Sequence, residues 1–167
     1  MGSQIKNLHT ISILVANKPG VLVRCAQVFA RRGFNIDSLV VSASVNPKYS
    51  RMTITAQGDL GTLDQIIKQT AKLIDVIHVA EHTGVDAITK EFALVKIKFS
   101  TKNKVPLSNF LKKFHARLAL QDRDSAIIEQ TGTTEELDQL ETELKKFGII
   151  EMVRSGKLVM AKGKEAT

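Results

Sequence analysis

The 167-residue sequence has few of the residues that build disulfide frameworks, metal clusters or membrane spans. Its one cysteine, Cys25, excludes an internal disulfide and a zinc site made of several thiolates, and it favours a reducing, cytoplasmic setting. Apolar runs such as residues 13–16 are far shorter than the roughly 20 residues that cross a bilayer, so no membrane-spanning helix is expected. Residues 1–7 are too short and polar for a signal peptide.

Charge does not mark the sequence as a nucleic-acid binder. The net charge of +7 would permit a polyanionic partner. Residues 1–84, however, carry 9 basic and 5 acidic side chains, and residues 85–167 carry 15 and 12. Neither half is a basic arm. Apolar residues at 43% and charged residues at 25% are ordinary for a globular protein, which excludes disorder and a long coiled coil.

The hydrophobic pattern of the first half predicts the order βαββαβ. Turn signals separate the elements at Asn17-Lys18-Pro19-Gly20, at Gly33, at Asn46-Pro47 and at Gly58-Asp59. Alternating and β-branched segments predict strands, and apolar positions at helical spacing predict helices. The predicted elements are strands 9–16, 35–44, 51–56 and 76–80 and helices 21–33 and 63–74.

The second half repeats this order after the polar stretch 84–87. Thr133 and Glu136 have the spacing of a capping box at the start of a helix, and Gly148 is expected to end that helix. Residues 149–153 and 157–161 supply a last strand or a hairpin. The other predicted elements are strands 92–99, 118–121 and 126–130 and a helix through residues 107–114.

Two βαββαβ units in tandem, residues 1–84 and 85–167, predict an α+β protein made of two ferredoxin-like domains. Each domain would have an antiparallel sheet with two helices on one face and an open second face. A unit of about 75 residues needs cover for such a face, so we expect a homodimer or a higher oligomer.

No catalytic motif emerges from the sequence. Phosphate loops, His-Glu-x-x-His, Cys-x-x-Cys and Gly-x-Ser-x-Gly are all absent. His78 and His82 would form a metal pair on a helix, but the strand pattern favours two half-exposed histidines at a sheet edge. Cys25 lies on the apolar stripe of the first helix, which favours a packed thiol over a nucleophile.

The turn from the first strand to the first helix, residues 17–22, is the strongest local signal. Unpaired N–H groups at a helix N-terminus favour a small anion such as a carboxylate. Pro19 has no N–H to leave unpaired, and Gly20 allows a ligand to approach the main chain. The carbonyl of Asn17 could accept from an amino acid's ammonium. The alternative is structural: Asn17 caps the helix and Gly20 relieves crowding.

Three separated segments resemble a known family, the small regulatory subunit of acetohydroxyacid synthase, also called acetolactate synthase, whose first half is an ACT domain. The similarity continues through residues 94–97, 131–132, 146–149 and 154–156, and so covers nearly the whole chain. The three segments are Asn17-Lys18-Pro19-Gly20-Val21-Leu22-Val23-Arg24, Arg31-Arg32-Gly33-Phe34-Asn35-Ile36-Asp37-Ser38-Leu39 and Ser50-Arg51-Met52-Thr53-Ile54.

The resemblance implies a non-catalytic partner of a large subunit that holds thiamine diphosphate, magnesium and often FAD. It also implies activation of that subunit and feedback inhibition by a branched-chain amino acid, usually valine. In the family the effector lies between two ACT domains, the strand-to-helix turn of one chain facing the second strand of the other. The corresponding residues here are Asn17, Pro19, Gly20, Val21 and Leu22 from one chain and Asn35 and Ile36 from the other, with Val15, Leu22 and Ile36 expected to wall an apolar pocket.

An RNA-binding module is the alternative, because the RNA-recognition motif shares the order βαββαβ. That module stacks bases on aromatic side chains of its central strands. The third predicted strand, residues 51–56, has no aromatic residue, and the chain has no tryptophan and a single tyrosine. The sequence therefore favours the regulatory subunit.

Overall fold

The computed structural model describes residues 8–84 and 87–167. Two 3₁₀ turns, Thr101–Asn103 and Lys145–Phe147, lie next to two of the helices. The helices are α1 (Val21–Arg31), α2 (Leu60–Ala71), α3 (Lys104–Phe114) and α4 (Thr134–Leu144). The strands are β1 (Leu8–Ala16), β2 (Asn35–Ala43), β3 (Tyr49–Gln57), β4 (Val76–Glu81), β5 (Ala87–Lys98), β6 (Arg117–Gln121), β7 (Ser125–Gly132), β8 (Ile149–Arg154) and β9 (Leu158–Ala161).

Two antiparallel sheets have the same topology, which confirms the predicted tandem of ferredoxin-like βαββαβ domains. The first sheet has the order β2-β3-β1-β4, and the second has the order β6-β7-β5-β8. β9 pairs with β5, so the last two predicted strands do not form a hairpin with each other. In both sheets the first strand of the unit is central and pairs with the third and fourth.

Each unit has its own apolar core between its sheet and its helices. Ile11, Ile13 and Val15 alternate along β1 and pack against the buried stripe of α1, which includes Cys25 and Phe29. Burial raises the pKa of the Cys25 thiol, because the thiolate would lose its hydration. The prediction of a packed rather than a nucleophilic cysteine is thus confirmed. The largest side chains of the second core are Ile97, Phe99, Leu107, Phe110, Ile128, Leu137, Leu140, Leu144 and Phe147.

The chain divides into two compact units that do not follow sequence order. One contains the residues up to Thr89 together with Gly156–Thr167, and the other contains Lys90–Ser155. The predicted domain boundary between residues 84 and 85 adjoins residues 85–86, which lie outside the described residues, so it stays a prediction. The expectation about a signal peptide in residues 1–7 also lies outside them.

The second face of the first sheet differs from the open surface that we expected. Ser12, Thr53 and Thr55 point to this face, and each is at most 4% exposed. The last segment, residues 156–167, contacts the same face: the Arg51 guanidinium donates a hydrogen bond to the backbone oxygen of Thr167. The chain therefore supplies part of the cover that we had assigned to another domain or a second copy. Threonine and serine side chains under this cover offer no stacking platform for RNA bases.

A buried carboxylate ties the second sheet to α4. The Glu91 side chain is 6% exposed and accepts hydrogen bonds from Nε and Nη2 of Arg154, at 3.1 and 2.8 Å, and from the Thr134 hydroxyl. Nη1 of Arg154 donates to Asp138 at 2.6 Å. Burial lowers the pKa of Arg154, but its hydrogen bonds to Asp138 and Glu91 outweigh that effect and raise it. The charged network fixes the end of β8 against α4.

The predicted capping box at the start of α4 is confirmed. The Thr133 hydroxyl accepts from the backbone N–H of Glu136 at 3.3 Å, and a Glu136 carboxylate oxygen accepts from the N–H of Thr133 at 2.6 Å. Gly148 takes a left-handed conformation just after the helical segment, as predicted. No helix within residues 8–84 and 87–167 is long and apolar enough to cross a membrane.

Candidate functional site

The strand-to-helix turn leaves the N-terminus of α1 without a side-chain cap. Gly20 is the N-cap residue, with φ of +81°, and within residues 8–84 and 87–167 the helix has no side-chain cap. The Asn17 amide instead donates to the carbonyl of Pro47 at 3.1 Å, and the Asn17 N–H donates to the carbonyl of Lys48 at 2.8 Å. The structural alternative for Asn17 is therefore wrong: this side chain ties the turn to the β2–β3 loop. The Val21 N–H donates to the carbonyl of Lys18 at 3.4 Å, so the N–H groups of Leu22 and Val23, which have no partner among the described residues, stay available for an anion.

Two cations and one carboxylate surround this turn. Arg24, one helical turn beyond Gly20, pairs with Asp75 at 2.5 Å between Nη2 and Oδ2, and the Lys18 ammonium lies 4.0 Å from the same carboxylate. A Cβ atom on Gly20 would lie 3.1 Å from Nη1 of Arg24, so the guanidinium lies close over the turn. The carboxylate of a ligand at the turn would therefore meet the positive end of the helix dipole and one net positive charge, because Asp75 offsets one of the two cations.

Sequence reasoning missed Arg24 and Asp75 as site residues. For Arg24 a signal existed, since it follows Gly20 by one helical turn on the polar face of α1. Asp75 gave no local signal, because only the fold brings it to the turn, 51 residues after its partner. The Asp75 carbonyl also accepts from the N–H of Ala16 at 2.8 Å, which holds it at the end of β1.

Within one chain the two halves of the predicted effector site lie far apart. Ala16 pairs with Tyr49 at one end of β3, whereas Asn35 pairs with Gln57 at the other end. At about 3.4 Å per residue, these ends of the sheet are roughly 27 Å apart. The fold thus brings Asn17 to Leu22 together and keeps Asn35 and Ile36 at the opposite end of the unit.

The apolar residues near the turn divide into buried and accessible ones. Val15 and Val21 belong to the core and are 1% and 2% exposed, so a ligand at the turn could reach the backbone but not these side chains. Leu22 is 40% exposed, and Ile36 is half-buried against the core. Of the three residues expected to wall a pocket, Leu22 and Ile36 therefore keep accessible surface.

The edge strand β2 presents a further apolar surface beside α1. Leu39 and Val41 face the helix side of the sheet, because they pair with the core residues Ile54 and Met52, yet 36% and 42% of their surfaces are exposed. Within the described residues, β2 pairs along one edge only. An unpaired strand edge with apolar side chains is suited to pairing with another chain.

The two histidines at the other edge do not form a metal site. His78 lies on β4, which is an edge strand, and both His78 and His82 are half-buried, as predicted. In residues 8–84 and 87–167, no three His, Cys, Asp or Glu side chains are grouped as metal ligands. Nε2 of His82 lies 2.8 Å from the Ser12 hydroxyl. Burial, then the neighbouring His78 and Arg51, lowers the pKa of His82.

The two halves of the chain match two protein-family models, each of which describes one part of the same kind of small subunit. Residues 11–78 match the AHAS small subunit-like ACT domain, and residues 90–163 match the small subunit of acetolactate synthase. Among curated proteins, the probable acetolactate synthase small subunit of Archaeoglobus fulgidus is 40% identical over 155 residues, which cover 93% of this chain and 97% of that protein. The acetolactate synthase small subunit of Mycolicibacterium smegmatis is 39% identical over 93% and 91% of the two chains.

A solved structure extends this agreement to three dimensions. The crystal structure of the acetolactate synthase small subunit from Thermotoga maritima superposes with a TM-score of 0.86 and 34% identity, covering 95% of this chain and 99% of that one. The first unit therefore has the ACT fold, and the relatives match over both units. On this similarity in sequence and fold, the chain belongs to the small, regulatory and non-catalytic subunits of acetolactate synthase.

Proposed function

We propose that the chain activates a large catalytic subunit of acetolactate synthase and makes it sensitive to feedback inhibition by valine or a related branched-chain amino acid. Thiamine diphosphate, magnesium and FAD would be held by the large subunit. The observation that carries the proposal is the uncapped N-terminus of α1 at Gly20, flanked by Lys18 and Arg24. The turn suits an amino acid's carboxylate, and the neighbouring apolar surface of Leu22 suits a branched side chain.

The remaining part of the effector site would come from a second copy of the chain. Antiparallel pairing of β2 with β2 of another copy about a two-fold axis would set Asn35 of one copy beside Ala43 of the other. Ala43 pairs with Ser50, at the end of β3 where Ala16 and the turn 17–20 lie. This pairing would bring the two separated halves of the site to the same end of a shared sheet and would cover Leu39 and Val41.

The proposal is tested by assaying acetolactate formation with the purified large subunit, with and without the chain and with increasing valine. The chain alone should form no acetolactate, and its addition should raise the rate severalfold. Gly20→Asp should raise the inhibitory valine concentration at least tenfold, because it places a carboxylate beside that of the effector. Asn35→Ala should act in the same direction from the other copy. Both variants should keep the stimulation, since effector and partner would use different surfaces.

Gly163→Asp is the matched control, because it adds an aspartate to the same unit at another glycine with a positive φ, +72°, and with nothing within 4 Å of the new Cβ atom. It should leave valine inhibition unchanged. Unaltered inhibition in folded Gly20→Asp would show that the effector binds elsewhere. Unchanged activity on mixing, at concentrations where the two chains co-elute, would contradict the regulatory role. Light scattering that reports a monomer at micromolar concentration would contradict the shared site.

A further inference from the structure

The second unit contains a cavity that the proposed valine site does not use. It has a volume of about 760 Å³ and lies between the C-terminal end of α3, the α4 helix and the end of β7. This volume is within the roughly 300–1,000 Å³ of typical small-molecule sites. The half-buried Phe114 gives it an apolar wall, whereas Leu140 at the same place is fully buried, and Gln130 lies on its sheet side.

An unpaired hydrogen-bond acceptor lies in this cavity. Oε1 of Gln130 is buried and has no hydrogen-bond partner among the described residues. The orientation of the amide is fixed, because Nε2 donates to the carbonyl of Thr131 at 3.3 Å. Gln130 lies opposite the core residue Ala93 in the sheet and therefore points to the side covered by the helices. A buried acceptor without a partner is costly, so its presence beside a cavity points to a donor that binds there.

The charges that line the cavity leave one cation unpaired. The carboxylates of Glu136, Asp138 and Glu143 pair with Lys90, Arg154 and Lys146, respectively. Lys113, in contrast, has no carboxylate within 4.0 Å in the part of the chain that the structure describes. Its ammonium lies 5.2 Å from the centre of the Phe114 ring. The cavity thus combines a buried acceptor that has no donor with an exposed lysine that forms no close ion pair and acts on Glu143 only at longer range.

We propose that this cavity binds a small zwitterion of the α-amino acid class. The ligand's ammonium would donate to Oε1 of Gln130, its carboxylate would pair with Lys113, and its side chain would lie along Phe114. An ammonium and a carboxylate on one carbon match the unpaired acceptor and the unpaired cation of the cavity. The site belongs to the second unit and is separate from the turn at Gly20, so it does not depend on the proposed valine site.

The test is a titration of the full, ¹⁵N-labelled chain with glycine, alanine, methionine and phenylalanine as probes, followed by amide chemical shifts. Acetate and methylammonium, each with half of the required chemistry, serve as comparison ligands. At least one amino acid should produce saturable shifts at Thr131 and Leu140, and neither half-ligand should bind as tightly. Gln130→Met and Lys113→Met should each weaken binding at least tenfold, because each removes a hydrogen bond to a charged group.

Lys112→Met is the matched control, since it removes an exposed lysine next to Lys113 that does not line the cavity. It should leave the affinity unchanged. A saturating amino acid should raise the melting temperature of the wild type but not that of Gln130→Met. The absence of saturable shifts with every probe would mean that Gln130 is satisfied by water only and would overturn the proposal. Shifts confined to the first unit, or equal affinity in Gln130→Met, would overturn it as well.

Discussion

The buried carboxylate of Glu91 allows a sharp prediction about stability. Glu91→Gln keeps the size of the side chain but removes the charge that Arg154 binds with two nitrogen atoms. Removing one partner of a fully buried ion pair costs about 3–5 kcal/mol, because the other charge stays behind. The Arg154 side chain is 25% exposed and keeps its bond to Asp138, so part of its hydration can return. We therefore expect a loss of about 2–3 kcal/mol in the free energy of unfolding.

Urea unfolding followed by far-UV circular dichroism measures this loss. With a slope of about 1–3 kcal/mol per molar urea, the midpoint of the affected transition should fall by roughly 0.7–3 M. Asp138→Asn is the internal comparison: the Asp138 side chain is 59% exposed, and its replacement should cost about 0–1 kcal/mol. Replacing Glu91 and Arg154 together by leucine should cost less than Glu91→Gln alone, since no unpaired charge remains. Equal losses in Glu91→Gln and Asp138→Asn would refute this reasoning.

Two further predictions concern the first unit. Because the pKa of His82 is lowered in the folded protein, His82 binds a proton more readily in the unfolded chain, so the free energy of unfolding should be full above pH 6.5 and should fall as the pH drops below that value. His82→Gln should flatten this part of a plot of melting temperature against pH. An unchanged plot would contradict the assignment of this pH dependence to His82. Gly156 has φ of +81°, and a Cβ there would lie 2.8 Å from that of Ser38. Gly156→Ala should therefore lower the free energy of unfolding by about 2 kcal/mol, measured by thermal unfolding. Gly163→Ala, where nothing lies within 4 Å of the new Cβ atom, should lower it by about 1 kcal/mol. Equal losses would show that Ser38 does not constrain residue 156.

Local signals in the sequence were enough to predict most element boundaries. The start of α4 was predictable because Thr133 and Glu136 satisfy its first N–H groups through their own side chains. The end of α2 was less predictable: the apolar pattern continues to Ile74, but the helix ends at Ala71 and Ile74 is 96% exposed. Apolar periodicity does not distinguish a buried helical position from an exposed one in the following turn.

The sequence predicts where in the chain the candidate effector site lies, but not which contacts its side chains make. The spacing of Asn17 and Gly20 marks a strand-to-helix turn, but it does not reveal whether an asparagine caps the helix or reaches a loop. Here the partner of Asn17 is the Pro47 carbonyl, 30 residues away. The ion pair between Arg24 and Asp75 depends in the same way on the packing of β1 against β4. Long-range contacts of this kind leave no periodic trace in the sequence.

The return of residues 156–167 to the first sheet has a consequence for synthesis on the ribosome. A chain made from its N-terminus completes β1 to β4 early, but the segment that contacts the second face of this sheet emerges only after the whole of residues 90–155. At about 5–20 residues per second, these parts of one unit are separated by roughly 3–13 s. The second unit, which is continuous in sequence, has all of its residues once Ser155 is made, when the first unit still lacks Gly156–Thr167. The unit that is translated first is therefore the last to be finished.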